Sequence, residues 1–292
     1  MFKHLLFLVF FLCCFRCFSK NTHIEKTNDT LKILSWNIQM LPNIYAPFTK
    51  LVRKKQKIRL PEIIKYLEKS PYDVIVLQEV FDIQMKNKLQ KQLINSFPFI
   101  QLPIKKGWGI KLSNGVMFLS KHPIELIDKV IFNVSKKSDR MAQKGCALVK
   151  LNYNGIPFLI AGTHLDSKGQ DVRDKQYQLI RDKIILPYLK ENTNFLLAGD
   201  LNTEQKSLAF KNMIQLFKLE NSPLKESNPY TFDEKNSWIK YESKGWIDFI
   251  LHRLTLNKKV NDQYIIRPTM QYKNKTIDLA DHYGIVLELV VN

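Results

Sequence analysis

The stretch Phe195-Leu196-Leu197-Ala198-Gly199-Asp200-Leu201-Asn202 reads as a buried strand that delivers two oxygen-bearing side chains at its end. The apolar run is short and continuous, as a covered strand requires. Gly199 is expected to let the backbone turn at the strand's end. Asp200 and Asn202 are two apart, so in extended backbone they share a face. A carboxylate and an amide oxygen on one face suit a hard divalent cation or a phosphate–water network. An Asx turn closing the strand is the plainer alternative.

The same arrangement recurs along the chain. Leu31–Ile38 is a strand with Asn37 near its end, Asp73–Val80 delivers Glu79, and Ile156–Gly162 runs into Thr163-His164. Trp246–Leu251 carries Asp248, and Asp281-His282 stands just before a last strand, Ile285–Val291. Between them, Leu60–Lys69 (with Pro61 at an early position), Met85–Phe97 and Asp171–Leu189 show helical spacing. Gly115–Ser120 is a further strand. Ile124–Phe132 and Cys146–Tyr153 read as antiparallel neighbours, and Asn154-Gly155 is a hairpin turn signal. Strands and helices alternate, with some hairpins, which predicts an α/β (α+β) fold of two mixed, mainly antiparallel sheets packed face to face with helices outside.

The 292 residues, 45% of them hydrophobic and 25% charged, describe a globular chain with a substantial core. No linker or repeat divides it, so residues 31–292 are read as one domain preceded by a short segment, 20–30. Lys3 and His4, then the apolar run Leu5–Phe15 and a polar exit from Ser19, read as a signal peptide over residues 1–19 and imply secretion; an uncleaved anchor, or a lipid on Cys17, is the competing reading. Cys13, Cys14 and Cys17 belong to that leader, which leaves Cys146 as a small buried hydrophobe with no disulfide partner. The formal net charge of +18 favours a phosphate-rich partner, nucleic acid or an anionic membrane surface, without choosing between them. Its densest cluster, Arg53, Lys54, Lys55, Lys57 and Arg59, is expected to be a solvated helix start.

Taken together, Ser35-Trp36-Asn37, Leu77-Gln78-Glu79-Val80, Gly162-Thr163-His164, Gly199-Asp200-Leu201-Asn202, Trp246-Ile247-Asp248-Phe249-Ile250 and Asp281-His282-Tyr283 resemble the DNase I-like endonuclease/exonuclease/phosphatase superfamily, in the family's order. The resemblance implies a four-layer DNase I-like sandwich. Within the superfamily the chain is most similar to the secreted neutral, magnesium-dependent sphingomyelinases. Three features carry this: Gln78-Glu79-Val80-Phe81-Asp82, the Asn37 to Met40-Leu41-Pro42 spacing, and Ser138-Asp139-Arg140-Met141-Ala142-Gln143-Lys144-Gly145. Asp166 after Thr163-His164-Leu165, where the family usually has Gln, and Asn114-Gly115-Val116 depart from the pattern. No long aromatic hairpin of the membrane-inserting kind is present.

The resemblance implies hydrolysis of a phosphodiester, sphingomyelin, in a membrane, by a monomer using Mg²⁺ with Mn²⁺ or Co²⁺ as substitutes. Glu79 would anchor the metal, Asn37 would add an amide oxygen, and Asp281 would be a second carboxylate beside it. His282 would be the general base, oriented by Asp248, with Asp200 positioning the water. Asn202 would donate to a phosphoryl oxygen. His164 would stabilise the phosphorane or protonate the leaving alkoxide. Lys144, held or released by Asp139, would neutralise a phosphate oxygen. Trp108 and Trp238 either line the approach or pack; His4, His23, His122 and His252 have no assigned role. A secreted nuclease, a phosphodiesterase for another headgroup, and a non-enzymatic binding module are the rival readings.

Overall fold

The computed structural model describes residues 29–42, 48–107, 111–136, 139 and 141–291, with the backbone alone for 48–53. The expected leader with its three cysteines, the segment 20–28, Trp108, Ser138, Arg140 and the Arg53 side chain lie outside the described residues. The strands in chain order are β1 (Thr30–Met40), β2 (Val74–Val80), β3 (Phe99–Gln101), β4 (Met117–Ser120), β5 (Ile124–Ile131), β6 (Gly145–Tyr153), β7 (Ile156–His164), β8 (Asn194–Asp200), β9 (Phe232–Asp233), β10 (Lys244–Gly245), β11 (Asp248–Arg253), β12 (Lys258–Ile266), β13 (Thr269–Tyr272), β14 (Lys275–Asp278) and β15 (Gly284–Val291). The helices are α1 (Phe48–Glu68), α2 (Ile83–Leu93), α3 (Gln170–Ile180), α4 (Leu186–Tyr188) and α5 (Leu208–Phe217), with a π-helical stretch, Arg181–Ile185, between α3 and α4.

Two large sheets carry the molecule. One is six-stranded, in the order β12-β15-β1-β2-β4-β3, and the other five-stranded, β11-β8-β7-β6-β5. Each contains one parallel pair, β1 with β2 and β7 with β8, and is otherwise antiparallel. A parallel pair needs a crossover, and α1 and the α3–α4 run supply the two. The expected mixed, mainly antiparallel sheets are therefore present, as is the β6–β7 hairpin at Asn154 and Gly155, both with positive φ.

Alternation along the strands makes the layers. Leu31 and Ile33 of β1 and Val74 and Val76 of β2 join the core between the sheets. Leu34, Trp36, Ile38, Ile75 and Leu77 point the other way, into a second core with Leu60, Ile63 and Leu67 of α1 and Met85, Leu89 and Leu93 of α2. On the far side, Phe210 of α5 stacks on Phe249 of β11, 4.6 Å between ring centroids. The order is helices, sheet, sheet, helices.

Three expectations are corrected. Gly199 does not turn the chain: β8 continues through Asp200. A Cβ on Gly199 would stand 2.0 Å from the Thr163 carbonyl oxygen, so glycine is needed for the close approach of β7 to β8. The first helix begins at Phe48, not Leu60, and Pro61 lies inside it. Among the described side chains ahead of Leu60, the buried ones are polar, Gln56 and Arg59, both 1% exposed, so this part of the helix shows no apolar face in the sequence. Arg59 is thus removed from the solvated basic cluster, whereas Lys54 and Lys57 are exposed.

Candidate active site

Register and parity bring the motif residues to one end of the sandwich. His164 pairs with Asp200, and Asp248 pairs with Asp200 on its other side, so the three stand abreast on one face of the five-stranded sheet. That face looks at the other sheet: a Cβ on Gly162, two residues before His164, would strike Phe118, Val116 and Val76. On the six-stranded sheet, Asn37 has the inward parity of Leu31 and Ile33. Glu79 has the outward parity of Ile75 and Leu77. It is redirected by a left-handed backbone, φ 59°, at the end of β2, a conformation non-glycine residues keep only when their surroundings hold it.

Asn37 bridges the sheets, donating from Nδ2 to Asp200 Oδ2 at 3.1 Å. Asp200 Oδ2 also lies 3.4 Å from His164 Nε2 and 3.8 Å from His282 Nε2. Asn202 does not share Asp200's face through extended backbone. Its φ is 48° and its backbone N–H donates to Asp200 Oδ1 at 3.0 Å, the Asx turn of the plainer reading. That turn nonetheless brings Asn202 to the same cleft, where its Nδ2 donates to the Leu165 carbonyl at 3.1 Å.

His282 is held on every side. Its Nδ1 is 2.9 Å from Asp248 Oδ2, its carbonyl accepts from Trp36 Nε1 at 2.9 Å, and the Phe232 ring lies 5.0 Å away. Burial disfavours its charged form, but Asp248, Asp200 and Asp281 outweigh that and hold its pKa well above the usual histidine range. His164 is the opposite case: burial, then Lys144 and His282, hold it well below that range. Lys144 Nζ is 3.0 Å from His164 Nε2, and it donates to the Leu165 carbonyl at 2.7 Å and Asp139 Oδ2 at 3.1 Å. A lysine ammonium only donates, so His164 accepts on Nε2 and carries its proton on Nδ1. Asp139 is fixed by Ser167, which donates its N–H at 2.8 Å and its hydroxyl at 3.2 Å.

These groups surround a cleft of about 320 Å³ whose walls include Glu79, Asp139, Lys144, His164, Asp200, Asn202 and His282. Asn37 and Asp248 are buried behind it. The cleft also takes in Ser167, Lys168, Phe232, Tyr241 and Ser243, which the sequence reading did not anticipate. Trp238 is not among its walls. Its Nε1 donates to the Asp278 carbonyl at 2.6 Å and its ring packs under Lys55 and Arg59. Asp166, the departure from the family pattern, is a loop organiser: its carboxylate accepts the backbone N–H groups of Lys136, Lys168 and Gly169. His252 is a structural partner of Ser222, 2.8 Å away.

A divalent cation fits the donor set. Glu79 is pushed up to about 7 by burial and by Asp281 beside it. Asp281 is itself raised by burial, and its Oδ1 is buried with no hydrogen-bond partner. Crowded carboxylates with an unsatisfied oxygen, next to an amide oxygen, are what a hard cation neutralises. Asp200, Asp248 and His282 also place ligand-type atoms within 4.8 Å of one another. The Asp248–His282 hydrogen bond engages two of these side chains, while Asp248 Oδ1, like Asp281 Oδ1, is buried with no hydrogen-bond partner, so both groups are candidate seats.

Comparison with known proteins agrees. The Endonuclease/Exonuclease/phosphatase family is matched over residues 34–270. Sphingomyelinase C 2 of Leptospira interrogans serogroup Icterohaemorrhagiae serovar Lai is 30% identical over 256 residues, covering 78% of this chain and 40% of that protein. The chain thus spans less than half the length of that relative. Sphingomyelinase C of Listeria ivanovii is 27% identical over 326 residues, covering 96% and 93%. A mutant beta toxin of Staphylococcus aureus, crystallised with bound magnesium ions, superposes with a TM-score of 0.74 at 20% identity over 89% of this chain and 99% of that one. That likeness is one of fold, the DNase I-like sandwich. With the family matched across most of the chain and its motif residues gathered at one end of that sandwich, the chain belongs to the Endonuclease/Exonuclease/phosphatase family.

Proposed function

We propose that the protein is a secreted, Mg²⁺-dependent phosphodiesterase that hydrolyses sphingomyelin to ceramide and phosphocholine, with residues 31–292 as its single catalytic domain. The observation that carries this reading is the buried Asp248–His282 pair, 2.9 Å apart, facing a polar cleft that also presents Glu79 and Lys144. The two relatives named sphingomyelinase C support the substrate class. The +18 charge suits an anionic membrane surface, and equally supports the second reading, a nuclease on the same scaffold.

A bound divalent ion supplies Lewis-acid stabilisation of the phosphoryl charge, and Glu79, Asn37 and Asp281 would hold it. Asp248 accepts from His282 Nδ1–H, so once the imidazolium has lost its other proton Nε2 is the acceptor for a proton from water. Asp248 and Asp200 stabilise the imidazolium that results. Asp200, anchored by Asn37, sits between the two imidazoles and positions the attacking water. Lys144 is close enough to the cleft to neutralise a phosphate oxygen while Asp139 restrains it, and the Asn202 amide donates to a second. His164 is neutral, with Nε2 facing Lys144. Lys144 stabilises the phosphorane charge, and its ammonium proton passes through His164 Nε2 to the ceramide alkoxide, Lys144 being reprotonated from solvent as His282 gives up the proton taken from water. Water adds to phosphorus, the bond to the ceramide oxygen breaks, and the proton lost by water is balanced by the one the alkoxide gains.

The test is to incubate the protein with sphingomyelin vesicles and with plasmid DNA, each with Mg²⁺ or with EDTA. Phosphocholine release that EDTA abolishes is expected. Cut DNA beside intact sphingomyelin would establish the nuclease instead.

A further inference from the structure

Gln39 lies two residues beyond Asn37, and no role above uses it. Its backbone is left-handed, φ 50°, where β1 breaks register with β2. All four of its polar groups are engaged. Its N–H donates to Asn37 Oδ1 at 3.1 Å, and its Nε2 donates to Asp281 Oδ2. Its carbonyl accepts from Arg59 Nη2 at 3.0 Å and Gln56 Nε2 at 3.4 Å, and its Oε1 accepts from Arg59 Nη2 at 3.4 Å. Arg59 is fixed in turn: its Nη1 donates to the carbonyls of Leu279 at 2.8 Å and Ile38 at 3.3 Å, and its guanidinium lies 5.4 Å from the Trp238 ring centroid. A guanidinium 1% exposed is costly unless its donors are satisfied. Here both Nη groups are satisfied by the two segments that carry Asn37 and Asp281, while Nε is buried without a partner.

We propose that Gln39, clamped by Arg59, is a positioning residue that ties Asn37 to Asp281 and sets how tightly the site holds its divalent cation. By occupying Asp281 Oδ2 it leaves Oδ1, buried and without a hydrogen-bond partner, as the oxygen available to the ion. By taking one lone pair of Asn37 Oδ1 it fixes the direction of the other. This rests on the metal-dependent reading above. Loss of such an outer partner lowers metal affinity about 10–100-fold.

The test is calorimetric titration of Mg²⁺ into the full chain and into Gln39→Met and Arg59→Lys. Gln39→Met is expected to bind Mg²⁺ about 10–100-fold more weakly, with the metal-free protein folded but melting at a lower temperature, because the bonds to Asp281 and Arg59 are lost. Arg59→Lys keeps the charge but loses the fork, and weakens binding by a smaller factor. If Gln39→Met does not fold, Gln39→Asn carries the same expectation, because its amide falls one methylene short of Asp281. Mg²⁺ binding by Gln39→Met within about twofold of wild type overturns the proposal while leaving the metal reading intact. Absence of Mg²⁺ binding in the wild type overturns both.

Discussion

Replacing Asp248 with Asn tests the role of the buried pair at the end of β11. Asp248 is 0% exposed and its Oδ2 is 2.9 Å from His282 Nδ1. The amide is nearly isosteric, so packing persists while the charge goes. A hydrogen bond to a charged group is worth about 1.5–3 kcal/mol. At about 1.4 kcal/mol per factor of ten, losing its preference for the imidazolium costs about 10–10²-fold in kcat. An Asn that donates to Nδ1 also forces the wrong tautomer, which extends the loss to about 10⁴-fold, as in other His–Asp pairs. The assay is phosphocholine release from sphingomyelin vesicles at saturating Mg²⁺, across pH. Asp248 is the largest influence raising the His282 pKa, so its removal moves that pKa down. The acidic limb of the rate profile, where His282 must lose its proton to act as base, then moves to lower pH. A variant within about fivefold of wild type, or one whose acidic limb does not move, would refute the assignment of His282 as the base.

Glu79, lifted to about 7, must lose its proton to bind a cation. Apparent Mg²⁺ affinity should therefore fall about tenfold per pH unit below that value, with close to one proton released in calorimetry at the acidic end. Because the folded pKa is raised above the ordinary 4.5, metal-free stability should decline as pH climbs from that value through about 7, and Mg²⁺ should offset the decline. Lys144→Met strips partners from His164, Asp139 and the Leu165 carbonyl; a loss of about 3–5 kcal/mol in denaturant unfolding is expected, and the His164 pKa, read by NMR, should rise. Gly199→Ala puts a Cβ 2.0 Å from the Thr163 carbonyl oxygen and should cost about 3 kcal/mol or more; a melting temperature unchanged from wild type would contradict the close-packing account of that glycine.

What the sequence made legible follows from chemistry that is local. Asn37, Glu79, His164, Asp200, Asp248 and His282 each sit at or just outside a strand terminus, and period-two alternation within an apolar run locates a terminus well. Strand pairing then does the assembling, because opposed residues such as His164, Asp200 and Asp248 share a face. Lys144 and Asp139 were legible through a family segment and meet as a hydrogen-bonded pair. Arg59 was not: among Lys54, Lys55 and Lys57 it looks like one more solvated cation, and only tertiary acceptors at Ile38, Gln39 and Leu279 make its burial tolerable. Gln39 and Glu79 depend on left-handed backbone, which no residue-type preference foretells at Gln or Glu. The cleft walls at Ser167, Phe232 and Tyr241 come from loops whose positions depend on packing across the whole sandwich.

The most direct measurement is ³¹P NMR of sphingomyelin vesicles turned over in oxygen-18 water with Mg²⁺ present. Attack of water on phosphorus predicts a phosphocholine resonance shifted by one oxygen-18 and unlabelled ceramide. Unlabelled phosphocholine, or no phosphocholine from vesicles under conditions in which the same sample cleaves DNA, would contradict the account.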